Sequence, residues 1–210
     1  MVKQQFKKLN LSDGFMEHFC GLMLGDGCLT NKRKSPTSSS LLVCSIHLDY
    51  IQYLSNIFKS ENIEYKIKER KGGFENSKKA FEIETKFYPI FSELEKVWYQ
   101  YDEAGKRRKT IPQELTLSKN CLLQWYIGDG YVVNLKQKPQ RIMFCTDRYN
   151  KLELQNIMNK LSNFCGGMVV QLADRNRIRI PKKQMNIFLE SIHFSPVKSF
   201  EYKWKPLHVI

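Results

Sequence analysis

Two hundred and ten residues carrying a formal charge of +13 and a pI near 9.4 suffice for one large domain or two fused half-domains. Such an excess of base favours a polyanionic partner, nucleic acid before a membrane surface. No uninterrupted apolar run is long enough to span a bilayer, and Met1-Val2-Lys3 opens no signal peptide, so neither a membrane-spanning nor a secreted chain is expected.

In chain order, Ser12-Asp13 offers a helix N-cap. Phe15, Phe19, Leu22 and Met23 then fall on one helix face, and Gly27 stops the run. Residues 28–30 and 41–48 read as strands joined by a polar loop from Asn31 to Ser40. Ile51, Leu54, Ile57 and Phe58 mark the next helix. Tyr65 to Arg70 alternates with period two and is expected to be a strand. Lys71-Gly72-Gly73 turns the chain into a return strand over Ala80–Thr85, and a helix follows from about Phe87 to Trp98. Tyr101 to Arg108, polar and basic, reads as a linker.

The order then recurs. A second apolar helix ends at Gly130, followed by strands near 131–134 and 141–146. Leu154, Ile157, Met158 and Leu161 form a helical stripe that Cys165-Gly166-Gly167 ends. A hairpin of Met168–Leu172 and Arg177–Ile180 turns at Asp174-Arg175-Asn176, and a helix from about Lys182 to Ser191 closes the half. Each half is thus αββαββα. The duplication is also visible residue by residue. Phe19-Cys20-Gly21-Leu22-Met23-Leu24-Gly25-Asp26-Gly27 has its counterpart in Leu122-Leu123-Gln124-Trp125-Tyr126-Ile127-Gly128-Asp129-Gly130, the aspartates standing 103 positions apart. Ile90-Phe91-Ser92-Glu93 answers Ile187-Phe188-Leu189-Glu190, and Lys109-Thr110-Ile111-Pro112 answers Lys203-Trp204-Lys205-Pro206. The domains expected are residues 1–100 and 112–210, with a basic linker over 101–111. Cys20, Cys28, Cys44, Cys121, Cys145 and Cys165 form no C-x-x-C pair, which argues against zinc and for reduced core thiols.

An aspartate at a helix C-terminus is electrostatically misplaced, because that end already carries unpaired carbonyls and about half a negative charge. Here the misplacement occurs twice. A carboxylate beside a helix-end carbonyl is a hard-oxygen site suited to Mg²⁺. Gly21 and Gly25 share a face that lets another helix approach, and Gly128 does the same at the matching end of the second helix. Packed together, the two helices would set Asp26 beside Asp129, and divalent metal would neutralise their repulsion. That constellation suits phosphodiester hydrolysis.

With these motifs the chain resembles the LAGLIDADG homing endonucleases in their single-chain, two-repeat form, over nearly its whole length. The resemblance implies an α+β fold of two pseudo-symmetric αββαββα repeats. Their motif helices pack at the repeat interface and their antiparallel sheets form a saddle on the DNA major groove. It implies metal ligation by Asp26 and Asp129, assisted by the carbonyls of Gly25 and Gly128, with Mg²⁺ as cofactor and Mn²⁺ or Ca²⁺ able to occupy the same sites. Lys109 and Lys203 match the lysines that help activate water and stabilise charge, and His47 and Asp147 are candidates for the polar group near the water network. Two departures stand out. Position six of each motif is apolar (Leu24, Ile127), and Gln124 replaces a small residue, so looser helix packing is expected there.

The basic residues complete the expectation. Lys66, Lys68 and Arg70 alternate in one half, and Arg175, Arg177 and Arg179 do so in the other, each triplet on one sheet face. With Lys32, Arg33, Lys34, Lys136, Lys138, Arg141 and Arg148 they are the expected DNA contacts. The function expected is a monomeric, site-specific double-strand DNA endonuclease on a long asymmetric target. The alternatives are an intron maturase that binds its host intron RNA, a dual nuclease–maturase, and a binding-only transcription factor. An intracellular location, in an organelle matrix or microbial cytoplasm, follows from the absent signal and the Lys, Asn and Ile content.

Overall fold

The computed structural model describes residues 9–31, 39–70, 79–135 and 138–208. The first unit runs α1 (Asp13–Leu24), β1 (Cys28–Thr30), β2 (Ser40–Ser45), α2 (Leu48–Ser60), β3 (Tyr65–Arg70), β4 (Ala80–Thr85) and α3 (Pro89–Trp98). A short hairpin of β5 (Tyr99–Tyr101) and β6 (Arg107–Lys109) follows. The second unit runs α4 (Lys119–Asp129), β7 (Gly130–Leu135), β8 (Lys138–Phe144), α5 (Lys151–Phe164), β9 (Gln171–Ala173), β10 (Arg177–Pro181) and α6 (Met185–Ser191). Each unit folds its four strands into one antiparallel sheet, in the orders β1-β2-β4-β3 and β7-β8-β10-β9. The orders are the same when each strand is matched to its counterpart, so this is an α+β fold of two αββαββα repeats.

Local chemistry explains the boundaries. Ser12 caps α1 by accepting from Phe15 N at 3.1 Å, and Ser118 caps α4 by accepting from Cys121 N at 3.2 Å. Asn150 and Glu153 form a full capping box at the start of α5. Pro89 begins α3 two residues later than the apolar pattern suggested, because a proline suits the first helical turn. Met168, expected to start a strand, is instead buried in the core, and the strand shortens to Gln171–Ala173. Three 3-10 residues, Asp174–Asn176, make the turn, with Arg175 and Asn176 in the left-handed region at φ 58° and 57°. Arg175 therefore leaves the alternation that Arg177 and Arg179 keep. The α6 helix is likewise preceded by a 3-10 turn, Lys182–Gln184.

The segment expected as a linker carries the β5–β6 hairpin, and it is fastened on both sides. Arg107 donates to Leu29 O at 2.9 Å, pairs with Glu95 at 2.6 Å and lies 3.5 Å over the Tyr99 ring. Arg108 pairs with Glu153 at 2.8 Å. One arginine grips the first unit and the next grips the second, so the hairpin holds Lys109 at the junction. A run of 3-10 turns over Lys198–His208, not foreseen from the pattern, brings Lys203 to the same junction.

The two motif helices are the centre of the molecule. They run side by side in the same direction. Glu17 accepts from Asn120 Nδ2 at 2.8 Å, Gly21 lies against Cys121 and Gln124, and Gly25 lies against Gly128. A methyl group on Gly21 would stand 2.1 Å from Cys121 O and 2.7 Å from Gln124 Cβ. Gln124 therefore does not loosen the interface. Its Oε1 accepts from Tyr50 OH at 2.6 Å and its Nε2 meets His18 Nδ1 at 3.1 Å, so the buried amide is satisfied by the opposite unit. Phe19, Met23, Leu24, Leu122, Trp125 and Tyr126 fill the core around this contact. No helix among the described residues is long and apolar enough to cross a membrane.

Candidate active site at the ends of the motif helices

The close approach of Gly25 and Gly128 brings the two aspartates together. A methyl group on Gly128 would stand 3.4 Å from both Asp26 Oδ2 and Gly25 Cα. Loss of solvent raises the pKa of both acids, and the Asp26 charge raises that of Asp129 further. Loss of solvent around the carboxyl is the main cause in each case, at Asp26 as well, whose residue surface is otherwise open. The halves nonetheless differ. Asp26 is exposed, whereas Asp129 is buried, and Asp129 is pushed up to about 7 by burial and then by the Asp26 charge.

The expected lysines converge on this point. Lys109 Nζ donates to Gly27 O at 2.5 Å and Gly25 O at 3.2 Å. Lys203 Nζ donates to Ile127 O at 2.5 Å, Gly130 O at 2.6 Å and Tyr126 O at 3.1 Å. Each ammonium thus occupies the carbonyl end of one motif helix. This resolves the electrostatic problem posed by the sequence: neither helix has a basic residue in its last turn, and a cation from a distant segment takes that role. Both lysines are buried, and loss of solvent pulls their pKa down to about 8. Tyr149 OH donates to Leu24 O at 3.2 Å, satisfying one more carbonyl of α1 from the opposite unit.

The donor set matches a divalent cation. Asp129 Oδ2 is buried with no hydrogen-bond partner. Two carboxylates and helix-end carbonyls are hard oxygen ligands, the kind Mg²⁺ and Ca²⁺ take. The Gly25 carbonyl is shared with Lys109. Among the described residues no group of three or more His, Cys, Asp or Glu side chains gathers to hold a metal.

The remaining candidates separate. His47 caps α2 without a side-chain bond, its ring edge-on to Phe200 at 4.8 Å, and it lines an open cavity of about 460 Å³ that also contains Asp26, Gly128 and Lys203. Asp147 points into an ion pair instead, accepting from Arg177 Nε at 3.1 and 3.0 Å. Arg148, expected among the DNA contacts, lies 3.7 Å from Asp129 Oδ2 and is the first charge holding that carboxyl's pKa down. The sequence hid this because Arg148 sits past the end of β8, where no periodicity assigns a direction.

The basic triplets are not counterparts. Val43 pairs with Ile83 and Phe144 with Ile178, so β4 of the first unit corresponds to β10 of the second. The open face of β4 carries Glu82 and Glu84 where β10 carries Arg177 and Arg179. Lys66 and Lys68 stand on the outer strand β3, opposite Glu84 and Glu82. Period two tells which residues share a face, not which strand holds them. Arg70 pairs with Glu82 at 2.5 Å, and Arg179 Nε donates to Gln171 Oε1 at 2.9 Å. Lys138 and Arg141 are exposed on β8, and Arg175 is exposed at the β9–β10 turn. Lys32, Arg33, Lys34 and Lys136 lie outside the described residues.

Comparisons with known proteins bear on the family and the fold. The model of the LAGLIDADG DNA endonuclease family matches residues 16–188. An uncharacterized protein of Methanocaldococcus jannaschii, MJ1098, is 28% identical over 208 residues, covering 95% of this chain and 76% of that protein. The homing endonuclease I-WcaI bound to its DNA recognition sequence superposes with a TM-score of 0.75 at 20% identity, covering 96% of this chain and 89% of its own. I-DmoI in complex with DNA and Mn superposes with a TM-score of 0.51 at 14% identity, over 85% of this chain and 96% of its own. At those identities the structural likenesses establish the fold.

Proposed function

Because this chain belongs to the LAGLIDADG DNA endonuclease family, we propose that it is a divalent-metal-dependent endonuclease that cuts both strands of a long, asymmetric DNA site, acting as a monomer. The observation that carries the reading is the meeting of Asp26 and Asp129 at two helix ends that Lys109 and Lys203 cap. Asp26 and Asp129, with the Gly25 and Gly128 carbonyls, would hold the cation, Mg²⁺ being the proposed ion, with Mn²⁺ or Ca²⁺ able to take its place. A cation bound there would polarise the scissile phosphates and acidify water at neutral pH. I-DmoI, which shares the fold, has been seen with Mn and with Ca.

The chain's own groups supply the rest. Two strands require two charge-stabilising centres, and the repeat provides one lysine for each. The ammonium groups are already fixed by carbonyls, so little reorganisation is needed as charge builds on a phosphate. Asp129 must be ionised to bind a cation, and Arg148 favours that ionised form. The two sheets, one beside each helix end, would carry the flanking duplex. We place the protein inside the cell, where genomic DNA is available to it. No feature among the described residues favours the RNA-splicing alternative.

The test is cleavage of the intronless allele of the host gene in Mg²⁺. The wild-type chain is expected to make a double-strand break at one site. Asp26→Asn and Asp129→Asn should each lower the rate by at least about a thousandfold while leaving specific binding in place. Double-strand cutting by either variant at the wild-type rate removes the assignment.

A further inference from the structure

The open faces of the two sheets carry charge in different places, and the arginines on them are held. Arg70 reaches from the outer strand β3 to Glu82, whose side chain is 1% exposed while that of Arg70 is 54% exposed. Arg177 on β10 is held twice, by Asp147 through Nε and by Tyr131, whose hydroxyl accepts from Nη1 at 3.1 Å. Arg179, two residues on, is held by Gln171 of the outer strand β9. In each case an acidic or amide oxygen uses part of the guanidinium and leaves other N–H donors unspent. Lys66 and Lys68 are exposed on the edge strand, and an ammonium on a flexible stem is a point charge without a fixed fork.

That distinction has a chemical meaning on a duplex. A planar guanidinium fixed in direction matches O6 and N7 of guanine, a contact that depends on orientation. A mobile lysine or a loop-tip arginine suits a phosphate, which accepts from many directions and carries no sequence information. Resting on the DNA-endonuclease reading above, we propose that Arg70, Arg177 and Arg179 read guanine in the major groove, with Glu82, Asp147 and Gln171 as their positioning residues. Lys66, Lys68 and Arg175 serve the backbone. Arg177 and Arg179 are on an inner strand and Arg70 is on an outer one, so the guanines they read are not related by the molecular pseudo-symmetry. In the first half the inner strand carries Glu84 and the buried Glu82 at these positions instead. The asymmetry of the target is thereby built into the sheet faces.

Iterated selection of bound duplexes from a randomised library, carried out with the full chain and its variants, tests the assignment. The wild type should yield a consensus with guanine contacts in both half-sites. Arg177→Lys, Arg179→Lys and Arg70→Lys should each erase one guanine preference, roughly tenfold or more at that position, and leave the others. Asp147→Asn should weaken the same position as Arg177→Lys, which a merely structural ion pair would not do. Glu82→Gln should do so for the Arg70 position, and the surface Asp147 variant keeps the test valid if a change at buried Glu82 upsets folding. Lys68→Ala should leave the consensus unchanged and reduce the salt dependence of binding by about one unit of slope. If the arginine variants return the wild-type consensus, the base-reading assignment is wrong and DNA binding stands. If the wild type returns no consensus, the DNA-recognition reading itself falls, and the assignment with it.

Discussion

The end of α1 and the end of α4 are built from the same Gly-Asp-Gly sequence, receive the same kind of lysine and lie against each other, yet they are not equivalent environments. Asp26 is exposed, while Asp129 is buried beside Arg148. Lys109 reaches the carbonyls of Gly25 and Gly27, whereas Lys203 reaches those of Tyr126, Ile127 and Gly130. His47 stands four residues beyond Val43, and Arg148 stands four beyond Phe144, the matching strand position. A duplicated backbone can therefore keep its hydrogen-bonding plan while the charges around it diverge. The plan is set by close helix contact and by orphan carbonyls, which tolerate few solutions. Under the proposed function the surrounding charges only have to favour binding of the same polyanion.

The largest effect should come from breaking the contact on which the comparison depends. Gly21→Ala places a methyl group against the backbone of α4 at 2.1 Å, and Gly25→Ala places one at an ordinary 3.5 Å from Gly128 Cα. Overpacking of that severity should cost about 3 kcal/mol or more for Gly21→Ala, and Gly25→Ala should cost much less. Urea denaturation of both variants checks the ratio; equal, small losses would mean that the helices can part without penalty.

A smaller effect sharpens the difference between the aspartates. The Asp129 carboxyl has an ordinary pKa of 3.8 and is raised to about 7 in the fold. A raised carboxyl favours folding in its protonated form, so this contribution is complete below about pH 4 and is lost as pH rises towards 7. Asp129→Asn mimics the protonated form and should therefore stabilise the metal-free protein at pH 8, by about 1–3 kcal/mol or a few degrees in Tm. The gain should vanish near pH 4. Melting curves across that range decide it, and a gain that persists at low pH would locate the cause outside the ionisation of Asp129.

The smallest effect concerns Arg148, whose counterpart position in the first half holds His47. Removing Arg148 leaves Asp129 harder to ionise, so in Arg148→Gln the acid limb of the pH–rate profile should move to higher pH. The rate should fall roughly three- to tenfold near pH 6 and recover in alkali, the pattern expected when a neighbouring charge alone is removed. His47→Ala should leave the limb in place. A uniform loss at all pH values would make Arg148 a DNA contact.

Much of the site was legible. Gly-Asp-Gly after an apolar helix, met twice, indicated a pair of charged helix ends, and the two Lys-x-x-Pro segments marked the cations that meet them. Other parts were not. Gln124 looked too large for a helix contact, because the sequence cannot show that Gly21 makes room for its Cβ or that Tyr50 and His18 satisfy its amide. The arginine and lysine triplets looked like counterparts because alternation fixes a face and leaves the strand unspecified.

The sequence by itself determined the duplication, the order of elements in each half, the motif helices and the identity of the acids and bases at their ends. Those follow from local periodicity, capping and repeated spacing, which act over a few residues. Only the tertiary structure decided that Asp129 is buried while the Asp26 residue surface is open, that Arg148 approaches the Asp129 carboxyl while His47 lines the cavity containing Asp26, and that β4 is acidic where β10 is basic. These depend on which distant strands pair and in what register. Desolvation and Coulomb terms of a few kcal/mol are set there, after the chain has folded around the helix pair.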